Sequence, residues 1–141
     1  MHEIHPGVLW IGNAHDIQRH ESLFDAELSA IVDLALEEPP AAPPRELLYF
    51  RIPLNDGGGN PLERLQQAIR LTADLVAAST RTIIACSAGM SRSPTIAAHA
   101  LALGMDKPPQ TIAEQISRIR PLEIHPALWT DASQALAQLR R

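Results

Sequence analysis

The sequence predicts an α/β domain with a central parallel or mixed sheet of four to five strands, flanked by helices on both faces. Three observations predict it. Short apolar runs at Ala30–Leu34, Leu47–Ile52 and Thr82–Ala85 have the length of strands covered on both sides. Segments with a helical apolar stripe, such as Leu62, Leu65, Ile69 and Val76, alternate with those runs. The joints between them are short and marked by proline and glycine, as in a chain that alternates strands and helices.

The elements follow in order. Ile4 and Val8–Ile11, broken by Pro6-Gly7, predict an edge hairpin, and Ala14–Phe24 a short helix. Ala30–Leu34 is the first core strand, with Asp33 at its end. Pro39, Pro40, Pro43 and Pro44 exclude helix and central strand from 37–45, which must be a surface loop. After the strand Leu47–Ile52, the segment 53–60 holds Gly57-Gly58-Gly59 and predicts a mobile loop.

Asn60-Pro61-Leu62-Glu63 reads as a capped helix start, continuing to about Ala78. Ser93-Pro94 predicts the cap of a second apolar helix, which runs to Leu103 and closes at Gly104. Two further helices, Pro108 to Arg118 and Pro126 to Leu139, flank a break at Pro121.

The 141 residues suit one domain, 1–141, and 45% hydrophobic with 20% charged residues is an ordinary globular composition. A net charge of −4 without a basic cluster argues against nucleic acid and anionic membrane surfaces as partners. The N-terminus lacks the build of a signal peptide and no stretch is long enough to span a bilayer, so a cytoplasmic location is the expectation. The six histidines are scattered without ligand spacing, and no metal site is predicted. Trp10 and Trp129 are expected in the core, and His99, among alanines, as a buried histidine with its hydrogen bonds satisfied.

Chemistry concentrates in IIACSAGMSRSP, residues 83–94. The only cysteine, Cys86, is either a small buried hydrophobe or a reactive thiol. Its address favours the second, because ligands of such a sheet collect where strands end and helices begin. Small residues from Ser87 to Ser91 let successive amides turn inward as an anion site, and the following helix adds the positive end of its dipole. Such surroundings, with Arg92 six residues on, favour a thiolate. The same donors suit a phosphoryl group, two of whose oxygens the Arg92 fork can clamp.

Cys86-Ser87-Ala88-Gly89-Met90-Ser91-Arg92-Ser93-Pro94-Thr95 resembles the signature loop of the dual-specificity phosphatases, within the cysteine-based protein tyrosine phosphatase superfamily. Gly7–Ala14, Ile31–Leu34, Tyr49–Pro53 and Arg120 to Leu136 are similar to further stretches of that family, in the same order. The resemblance implies Cys86 as nucleophile, Ser87 to Arg92 as the phosphate-binding loop, and Ser93 as a hydroxyl that helps the thiolate leave. A plain helix cap is the other role open to Ser93. Ser91 reads as a loop brace.

The implied general acid is Asp56, thirty residues before the cysteine and just after Ile52-Pro53. Asp56-Gly57 is also a common turn dipeptide. Asp33 is a rival acid, better explained as a loop brace. Where the family places histidine before the cysteine, this chain has Ala85, which removes one group that orders the loop.

No cofactor is implied. Uncharged Ser87, Ala88 and Met90 point to a phosphorylated protein or a small phosphate ester rather than a polyanion. A phospho-residue binding module with little turnover, and a redox or sulfur-transfer thiol of the rhodanese or arsenate-reductase kind, are the competing readings.

Overall fold

Five strands form one mixed sheet in the computed structural model, which describes residues 1–141. They are β1 (His2–His5), β2 (Leu9–Asn13), β3 (Ala30–Ala35), β4 (Leu48–Leu54) and β5 (Thr82–Cys86), in the spatial order β1-β2-β5-β3-β4. β1 pairs antiparallel with β2, and every other pairing is parallel. The register aligns the strand ends: Asn13 lies opposite Cys86, while Ala85 lies between Gly12 and Asp33. The end of β5 therefore opens at the C-terminal edge of the sheet, where the loops into helices gather.

The two faces are covered unequally. Leu9, Ile11, Val32, Leu34, Ile84 and Cys86 face the larger core beneath α2 (Leu62–Ala77), α3 (Arg92–Met105), α4 (Pro109–Ser117) and α5 (Pro126–Leu139). Trp10, Ile31, Ile83 and Ala85 face the smaller one, under α1 (His20–Asp25), Leu47 and the proline loop. Strand alternation alone sorts these residues to their sides. No helix is long and apolar enough to cross a membrane.

α3 is the central helix, and every residue from Arg92 to Ala102 is buried. Alanines at 97, 98, 100 and 102 let α2, α4 and α5 approach it closely. His99 is fully buried in this setting. Its Nδ1 donates to the Thr95 carbonyl at 2.7 Å, so Nε2 accepts from Ser133 Oγ at 2.9 Å, and Trp129 meets the ring edge-on. Trp10 is 7% exposed and lies under the Arg81 guanidinium, 4.8 Å from its ring centroid.

Several boundaries differ from the sequence expectation, each for a local reason. The segment 14–24 is not one helix but a 3₁₀ turn, Asp16–Gln18, followed by α1. Asn13 and Asp16 exchange side-chain to backbone bonds of 2.8 and 2.9 Å there, which fix a turn in place of a helical start. β3 runs on to Ala35, so Asp33 lies inside the strand, and β4 runs on through Pro53, an edge position that needs no N–H.

Asn60 does not cap α2: its side chain turns back to the backbone of Asn55 and Gly57, leaving Pro61 at the cap. α3 begins at Arg92, with Ser91 rather than Ser93 at the cap. It passes through Gly104 and ends where Asp106 adopts φ +53°.

Burial pushes the His99 imidazole down to about 4 from its ordinary 6.5. The stability of the neutral, buried ring is present in full above about pH 6.5 and is lost as pH falls through about 4, a loss of about 3 kcal/mol between those limits. His99→Gln keeps hydrogen-bonding groups without titrating. The urea midpoint of the wild type is expected to fall between pH 7 and 5, and that of the variant to stay nearly level.

Candidate active site

The segment 87–91 is shaped by what holds its carbonyls. Ser87 O accepts from Ala14 N at 3.2 Å, Met90 O from Glu123 N at 2.9 Å, and Ala88 O lies 3.5 Å from Arg120 Nη2. In trans peptide planes an outward carbonyl sets the next N–H to the opposite side, so the amides of Ala88, Gly89 and Ser91 face inward. Gly89 is required by both conformation and space. Its φ is +71°, and a Cβ there would stand 2.7 Å from Arg120 Nη2 and 2.7 Å from Gly12 O.

Cys86 is 2% exposed, with its sulfur at the N-terminal end of α3. Ser93 contributes twice, its hydroxyl 3.1 Å from Sγ and its amide donating to Sγ at 3.4 Å. Because Ser91 holds the cap position, the Ser93 hydroxyl is free to face the sulfur. Ala85 points to the other side of the sheet, into the small apolar core with Trp10 and Ile83.

Arg92 is 3% exposed and gains a partner that the sequence did not reveal. Its Nη1 and Nη2 donate to the two carboxylate oxygens of Glu37 at 2.5 and 2.7 Å, and Nη1 also donates to Leu54 O at 2.8 Å. Of five guanidinium donors these take three. The remaining Nε–H is buried without a partner, and it lies with one Nη2–H along the side of the planar fork. Glu37 thus anchors the end of the fork, and the side edge is left to grip two oxygens of an anion.

Arg92 holds the Glu37 carboxyl down to about 2. The pair therefore stays intact above the ordinary carboxylate range, near 4.5, and is lost only as pH falls through about 2.

Asp56 comes to the same place from the glycine segment. Ser91 Oγ donates to its Oδ1 at 2.5 Å and accepts from His125 N at 3.0 Å, so one hydroxyl ties the acid-bearing segment to the start of α5. The expected mobile loop is fastened further by the Asn55–Asn60 bonds and by Gly59 N donating to Asp131 Oδ2 at 3.2 Å. Asp33 takes no part. It is 2% exposed and accepts from Tyr49 OH at 2.6 Å, while that hydroxyl accepts from Ala41 N at 3.0 Å. Burial and this bond to Asp33 push the Tyr49 phenol up to about 12, which keeps it a donor.

Cys86, Ser87, Ala88, Met90, Ser91, Arg92 and Asp56 all line one cavity of about 240 Å³, joined by Glu37 and Glu123. Gly89 and Ser93 are not in its lining, and Ser93 meets the sulfur through its hydroxyl and amide. Glu37, Arg120 and Glu123 were missed from sequence. Glu37 carried only a positional signal, since it lies two residues past the end of a core strand, on the edge where the cysteine lies. No group of three or more His, Cys, Asp or Glu side chains is placed to hold a metal ion.

No protein-family model and no curated protein matches the chain. Solved structures do. Human DUSP28 superposes with a TM-score of 0.86 at 20% identity, over 99% of this chain and 98% of that one. The human tyrosine phosphatase-like serine/threonine/tyrosine-interacting protein gives 0.83 at 14% identity, over 100% and 98% of the chains. PTPMT1 in complex with PI(5)P gives 0.77 at 18% identity, over 99% and 96%. The chain has the dual-specificity phosphatase fold.

Glu37→Gln tests the anchoring of Arg92. Its carboxylate is half exposed, which moderates the effect, and affinity for tungstate is expected to fall by about three- to tenfold. Unchanged binding, measured by calorimetry, would show that Glu37 does not orient the arginine for the anion, and tighter binding that Glu37 competes with the anion.

Proposed function

We propose that this chain is a cysteine-dependent phosphatase that hydrolyses phosphate monoesters, with phosphorylated tyrosine, serine or threonine of proteins as the main substrate class. One observation carries the reading: the Cys86 sulfur lies beneath a cavity walled by the Arg92 guanidinium and the Asp56 carboxylate. The fold shared with dual-specificity phosphatases supports it.

In this scheme the phosphoryl oxygens sit on the inward amides of Ala88, Gly89 and Ser91 and on the side edge of Arg92, all of which are preorganised before the substrate arrives. The Cys86 thiolate attacks phosphorus as the P–O ester bond breaks, and Asp56 in its acid form gives its proton to the leaving oxygen. Water then attacks the cysteinyl-phosphate, Asp56 takes the proton from that water, and the P–S bond breaks. The Ser93 hydroxyl, 3.1 Å from Sγ, donates to the departing thiolate. Positive charge for the transition state comes from Arg92 and backbone dipoles, so the scheme calls on no metal.

A phospho-residue binding module is the second reading, and Ala85 favours it. The side chain that precedes the nucleophile is buried in an apolar cluster and offers the loop no hydrogen bond.

Cys86→Ser is expected to abolish turnover of p-nitrophenyl phosphate while tungstate still binds. Asp56→Asn is expected to lower kcat on phosphotyrosine by about a hundredfold or more. A stopped-flow burst of p-nitrophenol, near one equivalent, marks the covalent intermediate. Phosphopeptide binding by a wild type that shows neither burst nor turnover would select the binding module.

A further inference from the structure

Beside the cavity over Cys86 lies a second one of about 640 Å³, and Ser87 lines both. The shared Ser87 makes this space the neighbour of a phosphoryl group resting over Cys86. Asn13, His15, Gln18 and Glu38 give it a polar lining.

Charge around the two cavities is one-sided. No lysine lines either of them, and Arg92 is the one arginine. Against it stand Glu37, Glu38, Asp56 and Glu123. Glu37 is taken up by Arg92 and Asp56 by Ser91, whereas the carboxylates of Glu38 and Glu123 have neither a hydrogen bond nor an ion pair.

The position of Glu38 is fixed from below, where Arg51 Nη2 donates to its carbonyl at 2.8 Å and to Ala35 O at 3.3 Å. A buried donor edge, the unpartnered Arg92 Nε, thus calls for an anion at one end of the ligand. In the second cavity the unpaired carboxylate of Glu38 calls for a cation at the other end, and Glu123, on the wall of the first, adds negative charge nearby.

We propose that the cavity next to the Cys86 pocket is a second substrate subsite, which takes a cationic group lying close to the phosphate ester. The group is a lysine or arginine side chain next to a phosphorylated residue, or the ammonium of a small zwitterionic phosphate ester. The proposal rests on the phosphatase reading above and names its substrate class.

The test measures kcat/KM for phosphotyrosine peptides of equal length, flanked by Lys, Ala or Glu, and for phosphoethanolamine, with p-nitrophenyl phosphate as the reference ester. At low salt the Lys peptide is expected to exceed the Glu peptide by about tenfold. The ratio should shrink at 0.5 M salt, and by about threefold in each of Glu38→Gln and Glu123→Gln. Equal rates, an acidic preference, or a ratio untouched by both substitutions would overturn the subsite.

Turnover of phosphoethanolamine that depends on Glu38 identifies the small ester as the source, and its absence with a Lys-peptide preference identifies the protein. If the wild type hydrolyses nothing, the phosphatase reading fails. Calorimetric titration of the same peptides onto Cys86→Ser then judges the subsite alone, by whether the Lys peptide binds more tightly than the Glu peptide.

Discussion

A guanidinium carried almost wholly out of water must have its charge and most of its donors met, or it does not stay there. Arg92 is that group here, and two other parts of the chain converge to meet it. Glu37 arrives from the end of β3, the Leu54 carbonyl from the end of β4, and Arg92 itself from the first turn of α3. Parallel strands whose ends fall in register are what bring these three together. The cysteine at the end of β5 inherits a fixed charge beside it at no further cost in ordering.

The anchor has supports of its own. Glu37 lies at the start of a proline-rich segment that makes no sheet pairing, so its backbone must be held by side chains. Arg51 supplies donors to the carbonyls of Ala35 and Glu38, and Asp33 holds Tyr49, which in turn holds Ala41. A carboxylate inside β3 thereby fixes a loop that faces the cavity without touching it. On the opposite wall Ser91 plays the corresponding part, tying Asp56 and the start of α5 to the phosphate loop. The site is a ring of short clasps between loops, mounted on strands that parallel pairing holds in register.

How far this was legible in the sequence depends on range. Cys86 to Thr95 is one contiguous stretch in which each letter has a local consequence, and the core strands and final helix announce themselves by apolar runs and proline starts. Glu37 and Arg92 are 55 residues apart, and nothing near Glu37 says that it points at an arginine.

The misread boundaries share one physics. Asn60 and Ser93 are both good helix caps by local preference, but a loop in need of closure claimed the first and a sulfur in need of a donor faces the second. Tertiary demand outbid local propensity where the chemistry lies. Asp33 braces a loop as its residue type suggests, but from inside the strand and not from its end, because β3 continues to Ala35, one residue past its apolar run.

Gly89 has a consequence for how this loop could diverge. Arg120 and the Gly12 carbonyl close on the space where its side chain would stand, so that position admits no variation while the loop keeps its shape. Ser87, Ala88 and Met90 instead line the cavity. Backbone amides hold the anion whatever those side chains are. Selection, natural or in the laboratory, therefore has three positions at which to rewrite what the pocket accepts without disturbing the atoms that do the chemistry.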